Sequence, residues 1–277
     1  MSIISISGRI GSGKDTVGTI IQIITDNPQL TDKAVEEWLP RGKYPGKFEI
    51  QKWANSLKDI VCILIGCTRE QLEDHEFKDT PLGDEWIRYS YAKGFWYHSD
   101  NNPSHKMMDS VQCTKERYEE ELRINWQTAY KFHPTPRTLL QYIGTELFRN
   151  QILDNIWVNS LMSKYRPIGL PPEEERVSVG DETVVLHIHN PEWYPNWIIT
   201  DTRFPNELKA VKNKGGITIR VLRPNPKGIK DEIENLHASE TALDNATFDY
   251  DINNTGSVIE LIEKVREILT KERIINI

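Results

Sequence analysis

Ile3-Ile4-Ser5-Ile6-Ser7-Gly8-Arg9-Ile10-Gly11-Ser12-Gly13-Lys14-Asp15-Thr16 begins as a short β-rich apolar run, breaks into a glycine-spaced loop, and passes through a lysine into an apolar helical stretch. Strand, glycine loop, lysine and helix in that order are the parts of a P-loop. Glycines let the backbone turn inward, so that successive N–H groups face an anion. The helix that follows adds the positive end of its dipole. Lys14 supplies a mobile point charge for terminal phosphates. Gly8, Gly11, Ser12, Gly13, Lys14, Asp15 and Thr16 are therefore the expected polyphosphate-binding residues. The usual pattern places Ser or Thr after the lysine, but here Asp15 stands there. A carboxylate at that point can hold Mg²⁺ directly or through a water, or it can cap the helix. Thr16 is the next hydroxyl.

Working outward, helices are expected over 16–25, 57–65, 136–150, 155–165, 205–214 and 257–273. A further short helix opens at Thr68. Strands are expected over 48–53, 197–200, 218–222 and 250–252. Residues 177–186 read as a hairpin turning at Gly180-Asp181. Residues 81–136 are rich in aromatics and charges and read as an insertion, with a hairpin-like part and a helix near 114–130. Strands alternating with helices predict an α/β fold with a mostly parallel central sheet and helices on both faces. Ligand loops then lie at the carboxyl ends of the strands. The three chemically richest loops, 8–16, 54–58 and 201–203, all follow strands and are expected to converge.

Asp201 directly follows the apolar strand 197–200. It can orient Mg²⁺ or its waters, contact a second substrate, or cap the helix beginning at Pro205. Arg203 stands where a cation can meet phosphoryl oxygens. Arg137, Gln141 and Thr145 share one helix face, either a polar ligand stripe or a solvated surface. Lys58 and Lys78 are weaker candidates of the same kind. Arg220 and Arg223 flank a strand, and the segment 224–228 after it is either a mobile lid or a static loop. His187 and His189 lack an evident third ligand for a metal. The aromatic group from Trp86 to Tyr97 reads as core or subunit contact. His237, Ser239 and Glu240 are too close in sequence for a nucleophilic triad.

The chain has 277 residues and a net charge of −7, from 34 Lys and Arg against 41 Asp and Glu. That balance argues against duplex nucleic acid as the main partner. Cys62, Cys67 and Cys113 show no metal-ligand spacing and no disulfide framework, which fits a reducing, cytoplasmic setting. The first strand starts almost at once, so no signal peptide is expected. No apolar run reaches the roughly 20 residues of a membrane span.

These residues together resemble the tailed-phage deoxynucleoside monophosphate kinases, relatives of adenylate kinase. The resemblance rests on Ser7-Gly8 with Ser12-Gly13-Lys14-Asp15-Thr16, on Ala54 with Leu57-Lys58-Asp59, and on Leu140-Gln141-Tyr142-Ile143-Gly144-Thr145-Glu146. Trp157-Val158, Asp201-Thr202-Arg203 and Val221-Leu222-Arg223-Pro224 complete it. It fails over about 83–135 and 171–196, which read as insertions in a single domain spanning 1–277. It implies a P-loop kinase-like three-layer sandwich and transfer of the ATP γ-phosphate, with Mg²⁺, to a deoxynucleoside monophosphate. It implies Lys14 on ATP, and Arg203 with Asp201 at the transferring group. Lys58, Arg137, Gln141, Gly144, Thr145, Trp157, Asp201 and Thr202 would surround the monophosphate, and Lys78, from the residue reading alone, is a further substrate-binding candidate. A phage enzyme of this kind would act in the host cytoplasm, and a homodimer built on the insertion is one assembly open to it. Other readings are a P-loop kinase for dephospho-coenzyme A or phosphomevalonate, a regulatory ATP-binding module, and a nucleic-acid end kinase.

Overall fold

The computed structural model describes residues 3–41, 46–92, 110–124, 129–167, 174–179, 182–187, 194–224 and 241–276. They form two compact units, one of residues 1–56 and 155–277 and the other of residues 57–154.

In the first unit, β1 (Ile3–Ser7) is buried at every position, as a strand covered on both faces must be. Its neighbours are β2 (Phe48–Gln51), β8 (Asn196–Thr202), β9 (Ile217–Leu222) and β10 (Tyr250–Asn253), in the order β10-β9-β1-β8-β2. All of their pairings are parallel. The chain steps outward from β1 to β2, returns to fill the gap with β8, and then crosses to the other side of β1. The strand order therefore reverses at β1, and the crevice at its carboxyl end is where such sheets take ligands.

Alternation along the strands divides the core. Ile4, Ile6, Ile198, Ile219, Val221 and Ile252 pack with α1 (Lys14–Asp26) and with α10 (Val258–Lys271). Ile3, Trp197 and Ile199 pack on the opposite face with α8 (Ile156–Met162) and α9 (Pro205–Lys212). Each fully buried isoleucine contributes about 1.5–3 kcal/mol. Gly18 lets α1 lie against β8, since a Cβ there would stand 2.7 Å from the Thr200 methyl. The helices α2 (Asp32–Trp38), capped by Thr31, and α10, closed by a Ser257–Glu260 capping box, complete that layer.

Strands β9 and β10 are also tied by charge. Arg220 donates from Nε and Nη2 to the two oxygens of Asp251 at 2.8 and 2.9 Å. The guanidinium holds the Asp251 carboxyl below its ordinary value of 3.8. A depressed carboxylate contributes stability above its unfolded pKa and loses it as the pH falls through the folded value. Asp251→Asn is therefore expected to lower the Tm at neutral pH. That deficit should shrink on acidification below about pH 4, as thermal melts across pH would show.

The second unit continues from the first turn of α3 (Asn55–Ile65) through α4 (Arg69–Glu73) and α5 (His75–Asp79). A three-stranded antiparallel sheet follows, built from β3 (Arg88–Ala92), β4 (Ser110–Cys113) and β5 (Ala129–Phe132) in the order β4-β3-β5. Tyr89 of β3 packs against Tyr118 of α6 (Lys115–Ile124), ring centroids 5.0 Å apart. The helix expected near 114–130 is described over Lys115–Ile124, and Ala129–Phe132 is strand instead. Its β-favouring Tyr130 and Phe132 pair with β3. The long helix expected over 136–150 begins as α7 (Pro136–Gln141) and continues with π geometry over Tyr142–Ile152. Near its start Gly144 sits against Leu57, where a Cβ would come within 2.6 Å of a leucine methyl.

The expected hairpin is present as β6 (Glu174–Val179) and β7 (Glu182–His187), antiparallel with Val179 opposite Glu182. Its turn, His189, residues 93–97 of the aromatic group, the segment 225–228 and the group His237, Ser239 and Glu240 lie outside the described residues.

Candidate functional site

Residues 8–13 form a closed loop between β1 and α1. Gly8 has φ +152, and a Cβ on it would meet both Ser12 Oγ and the Val221 carbonyl at 2.5 Å. Gly13 has φ +100, and a Cβ there would lie 2.6 Å from Asn254 Nδ2. The same Asn254 amide donates to the Ser12 carbonyl at 2.8 Å and clamps the loop from the β10 side. Arg9 O accepts twice, from the Ser12 N–H at 3.1 Å and from Lys14 Nζ at 2.8 Å. Lys14 is thus folded over the loop, 9% exposed. Ser12 is 1% exposed, and its hydroxyl has no hydrogen-bond partner among the described residues. The N-cap of α1 is Gly13, which offers no side-chain cap, and helix N-termini of this kind favour anions.

Strand β8 reaches this loop with a bulge. Ser5 pairs with Ile199 but Ser7 with Thr202, so β8 carries an extra residue beside the site. Three consecutive side chains turn to different parts of the site. Thr200 donates to Asp15 Oδ1 at 2.9 Å. Asp201 accepts the Trp53 N–H on Oδ1 at 2.8 Å and the Ala54 N–H on Oδ2 at 3.1 Å. Thr202 is buried, its hydroxyl held by Ser5 at 2.7 Å and by the Trp53 indole N–H at 3.0 Å. Asp201 therefore ties the end of β2 to the end of β8, rather than capping the Pro205 helix. The buried Glu207 serves that helix end, accepting from the Arg203 and Phe204 N–H groups at 2.7 and 3.1 Å.

Asp15 also faces Lys52, whose Nζ stands 3.2 Å from Oδ1. The surrounding loop partly desolvates the Asp15 carboxyl and pushes its pKa up. The Lys52 ammonium, the Thr200 hydroxyl and Lys14 outweigh this and hold it below the usual value. Its side chain is still 72% exposed. Lys52, Thr200 and Asn254 are the residues the sequence reading missed. Lys52 sits at the carboxyl end of a strand, the one signal that could have marked it.

The loop opens into a cavity of about 660 Å³ lined in part by Gly8, Ser12, Arg203, Arg220, Arg223 and Asp244. Arg9, on the same wall, pairs with Asp244 at 3.3 Å. Loops after β1, β8, β9 and β10 all contribute, as the strand order requires. Loops 8–16 and 201–203 meet here, and Ala54 joins them through Asp201. Trp157, on α8, is buried, 5% exposed.

In the second unit the expected cations gather around two carboxylates. Glu73 holds Lys58 at 2.5 Å and Lys78 at 3.7 Å. Arg137 is bidentate on Asp79, at 2.5 and 3.0 Å. The guanidinium holds the Asp79 carboxyl below its usual value. Gln141 is exposed and Thr145 half-buried on the same helical stretch, while Gly144 is buried in packing. Among the described residues, no group of three or more His, Cys, Asp or Glu side chains could hold a metal, and no helix is long and apolar enough to cross a membrane.

Sheet order, loop and flanking helices define an α/β sandwich of the P-loop kinase-like class. No known family model matches the chain. It is similar to the deoxynucleoside-5'-monophosphate kinase of Escherichia phage T5, 23% identical over 260 residues, which are 87% of this chain and 84% of that protein. It is also similar to the deoxynucleotide monophosphate kinase of Enterobacteria phage T4. There the identity is 27% over 133 residues, 48% of this chain and 44% of the relative.

Proposed function

We propose that this chain is a deoxynucleoside monophosphate kinase, transferring the γ-phosphoryl group of ATP to a deoxynucleoside monophosphate to give the diphosphate and ADP. The observation that carries the reading is the loop 8–13. It is clamped by the Asn254 amide on the Ser12 carbonyl, holds one unpartnered buried hydroxyl and one folded lysine, and opens on an arginine-lined cavity. The similarity to the T5 enzyme over most of both chains supports the acceptor class.

Loop amides, Ser12 and Lys14 bind the β- and γ-phosphates. The cavity beside them, with Arg220 and Arg223 on its wall, takes the rest of the donor nucleotide. A divalent ion bound with a triphosphate takes phosphate and water oxygens and one or two carboxylates. Asp15 fits that donor set, with Thr200 and Lys52 both on Oδ1 and most of its surface open. When bound, Mg²⁺ neutralises charge on the donor phosphates. Lys52 and Thr200 fix the Asp15 rotamer. Arg203 meets the transferring group, and Asp201 is a positioning residue that sets residues 53–54. Thr202 and Trp157 support the same strand and helix ends from within.

Acceptor recognition is assigned to Lys58, Lys78 and Arg137, with Gln141, Gly144 and Thr145 on the adjoining helix. A carboxylate seated bidentately on Arg137 occupies the place a phosphate would take. The acceptor phosphate has a second pKa near 6 and is mostly a dianion at neutral pH. It needs no general base. It needs cations and in-line positioning, because two anions must approach each other.

The test is ADP release from Mg-ATP with each deoxynucleoside monophosphate and its ribose counterpart added separately. Release that requires a deoxy acceptor and yields its diphosphate is expected. Release without an acceptor, or none despite ATP binding, would overturn the reading. Arg203→Ala should lower kcat by roughly 10- to 100-fold while the acceptor KM stays within about threefold. An effect wholly on KM would remove Arg203 from the transferring group.

A further inference from the structure

Cys62 lies in the last turn of α3, and Cys67 lies just beyond the helix. Between them Gly66 takes φ +69, and nothing stands within 4 Å of where its Cβ would be. The glycine is there for its conformation, not for packing. The Cys67 N–H returns to the Cys62 carbonyl at 3.1 Å. This is the six-to-one hydrogen bond of a Schellman helix end, which sets the side chains of its first and last residues against each other. That contact is commonly apolar. Here both positions are cysteine, and the two Sγ atoms are 3.8 Å apart. Both residues are half-buried, so a small reagent can reach them.

We propose that Cys62 and Cys67 form a dithiol modification site, which a small-molecule disulfide oxidises to an intrachain bond closing the end of α3. In the first step the thiolate of one cysteine attacks a sulfur of the small disulfide. A mixed disulfide forms and one small thiolate leaves. The second cysteine then gives its proton to solvent and attacks the protein sulfur of the mixed disulfide. The protein–small-molecule S–S bond breaks and the second small thiolate leaves. Two electrons pass from the cysteine pair to the reagent, and two protons end on the released thiols.

The bond would brace more than a helix end. Thr68 follows Cys67 and caps α4 through a reciprocal box with Gln71. Arg69, the first residue of α4, pairs with Asp59 of α3 at 3.0 Å, and Glu73 at its end holds Lys58. Oxidation therefore fixes the α3–α4 corner that presents these cations. Burial, and then Cys67 beside it, push the Cys62 thiol up to about 11. Attack by Cys62 is therefore slow at neutral pH and faster in alkali, because only the thiolate attacks. None of this depends on the proposed kinase activity.

The test treats the reduced, folded protein with oxidised glutathione at alkaline pH, traps free thiols by alkylation, and maps the peptides. The expected product has lost two hydrogens and carries a Cys62–Cys67 link, in the native chain and in Cys113→Ser alike. Cys62→Ser and Cys67→Ser should give no such product. Closure should be at least about tenfold faster in the folded protein than in the same chain unfolded in urea, because the helix end pre-positions the thiols. Gly66→Ala keeps both thiols but strains the turn, and should slow closure. Glutathione adducts without closure, a link to Cys113, or equal rates folded and unfolded would each overturn the proposal.

Discussion

Lys14→Ala is expected to lower kcat/KM for phosphoryl transfer by roughly 10²- to 10³-fold, the range seen when one preorganised transition-state contact is removed. The argument starts from where the ammonium sits. Lys14 is 9% exposed, and its Nζ rests on the Arg9 carbonyl inside the loop. In that low-dielectric position a point charge acts far more strongly on phosphoryl oxygens than it would in water. Loss of the side chain should leave the loop folded. Arg9 O still accepts the Ser12 N–H, and the Asn254 amide still holds the Ser12 carbonyl. Stability should therefore change by only about 1 kcal/mol. Lys14→Arg should not rescue, because a planar fork cannot replace a compact ammonium in a loop closed this tightly. Steady-state ADP release beside a thermal melt is the measurement. Activity within about threefold of native would remove Lys14 from the reaction.

Local signals were the most legible in the sequence. A strand running into glycines, a lysine and an apolar helix has one economical geometry, and β1, the loop and α1 adopt it. The box at Thr68 closes over three residues, so it too can be read without the fold. What was not legible depends on distant partners. The bulge in β8 shows only against β1, and it decides that Thr200 turns to Asp15 while Asp201 turns to Trp53 and Ala54. Lys52 carried no signal of its own, and its role shows only where its Nζ stands 3.2 Å from Asp15. Cys62 and Cys67 showed no framework by spacing, because their approach is made by the left-handed Gly66. The π stretch from Tyr142 is equally non-local, following a close approach of Gly144 to Leu57 that no periodicity announces. The helix α2 was passed over because only its Thr31 cap marks it.

Asp201→Ala is expected to lower stability by about 3 kcal/mol, since hydrogen bonds to a charged group are worth about 1.5–3 kcal/mol each and solvent recovers part of the loss at this half-exposed site. For a chain of this size that is a fall in Tm of roughly 6–12 °C. Two N–H groups lose their acceptor at once, those of Trp53 and Ala54, at the turn where β2 ends and α3 begins. Asp201→Asn should do little better. Its amide offers one acceptor oxygen, and its NH₂ would face the second backbone N–H donor to donor. The activity of these variants separates two roles for the residue. A positioning residue loses kcat in step with its folded fraction, and cooling, which refolds the variant, restores turnover. A residue that also orients the metal's waters loses kcat even where melts show the protein fully folded. The bidentate hold on two backbone amides leads us to expect the first pattern, with kcat within about threefold of native once folding is restored. A persistent loss of about 100-fold in the cold would instead put Asp201 at the phosphates.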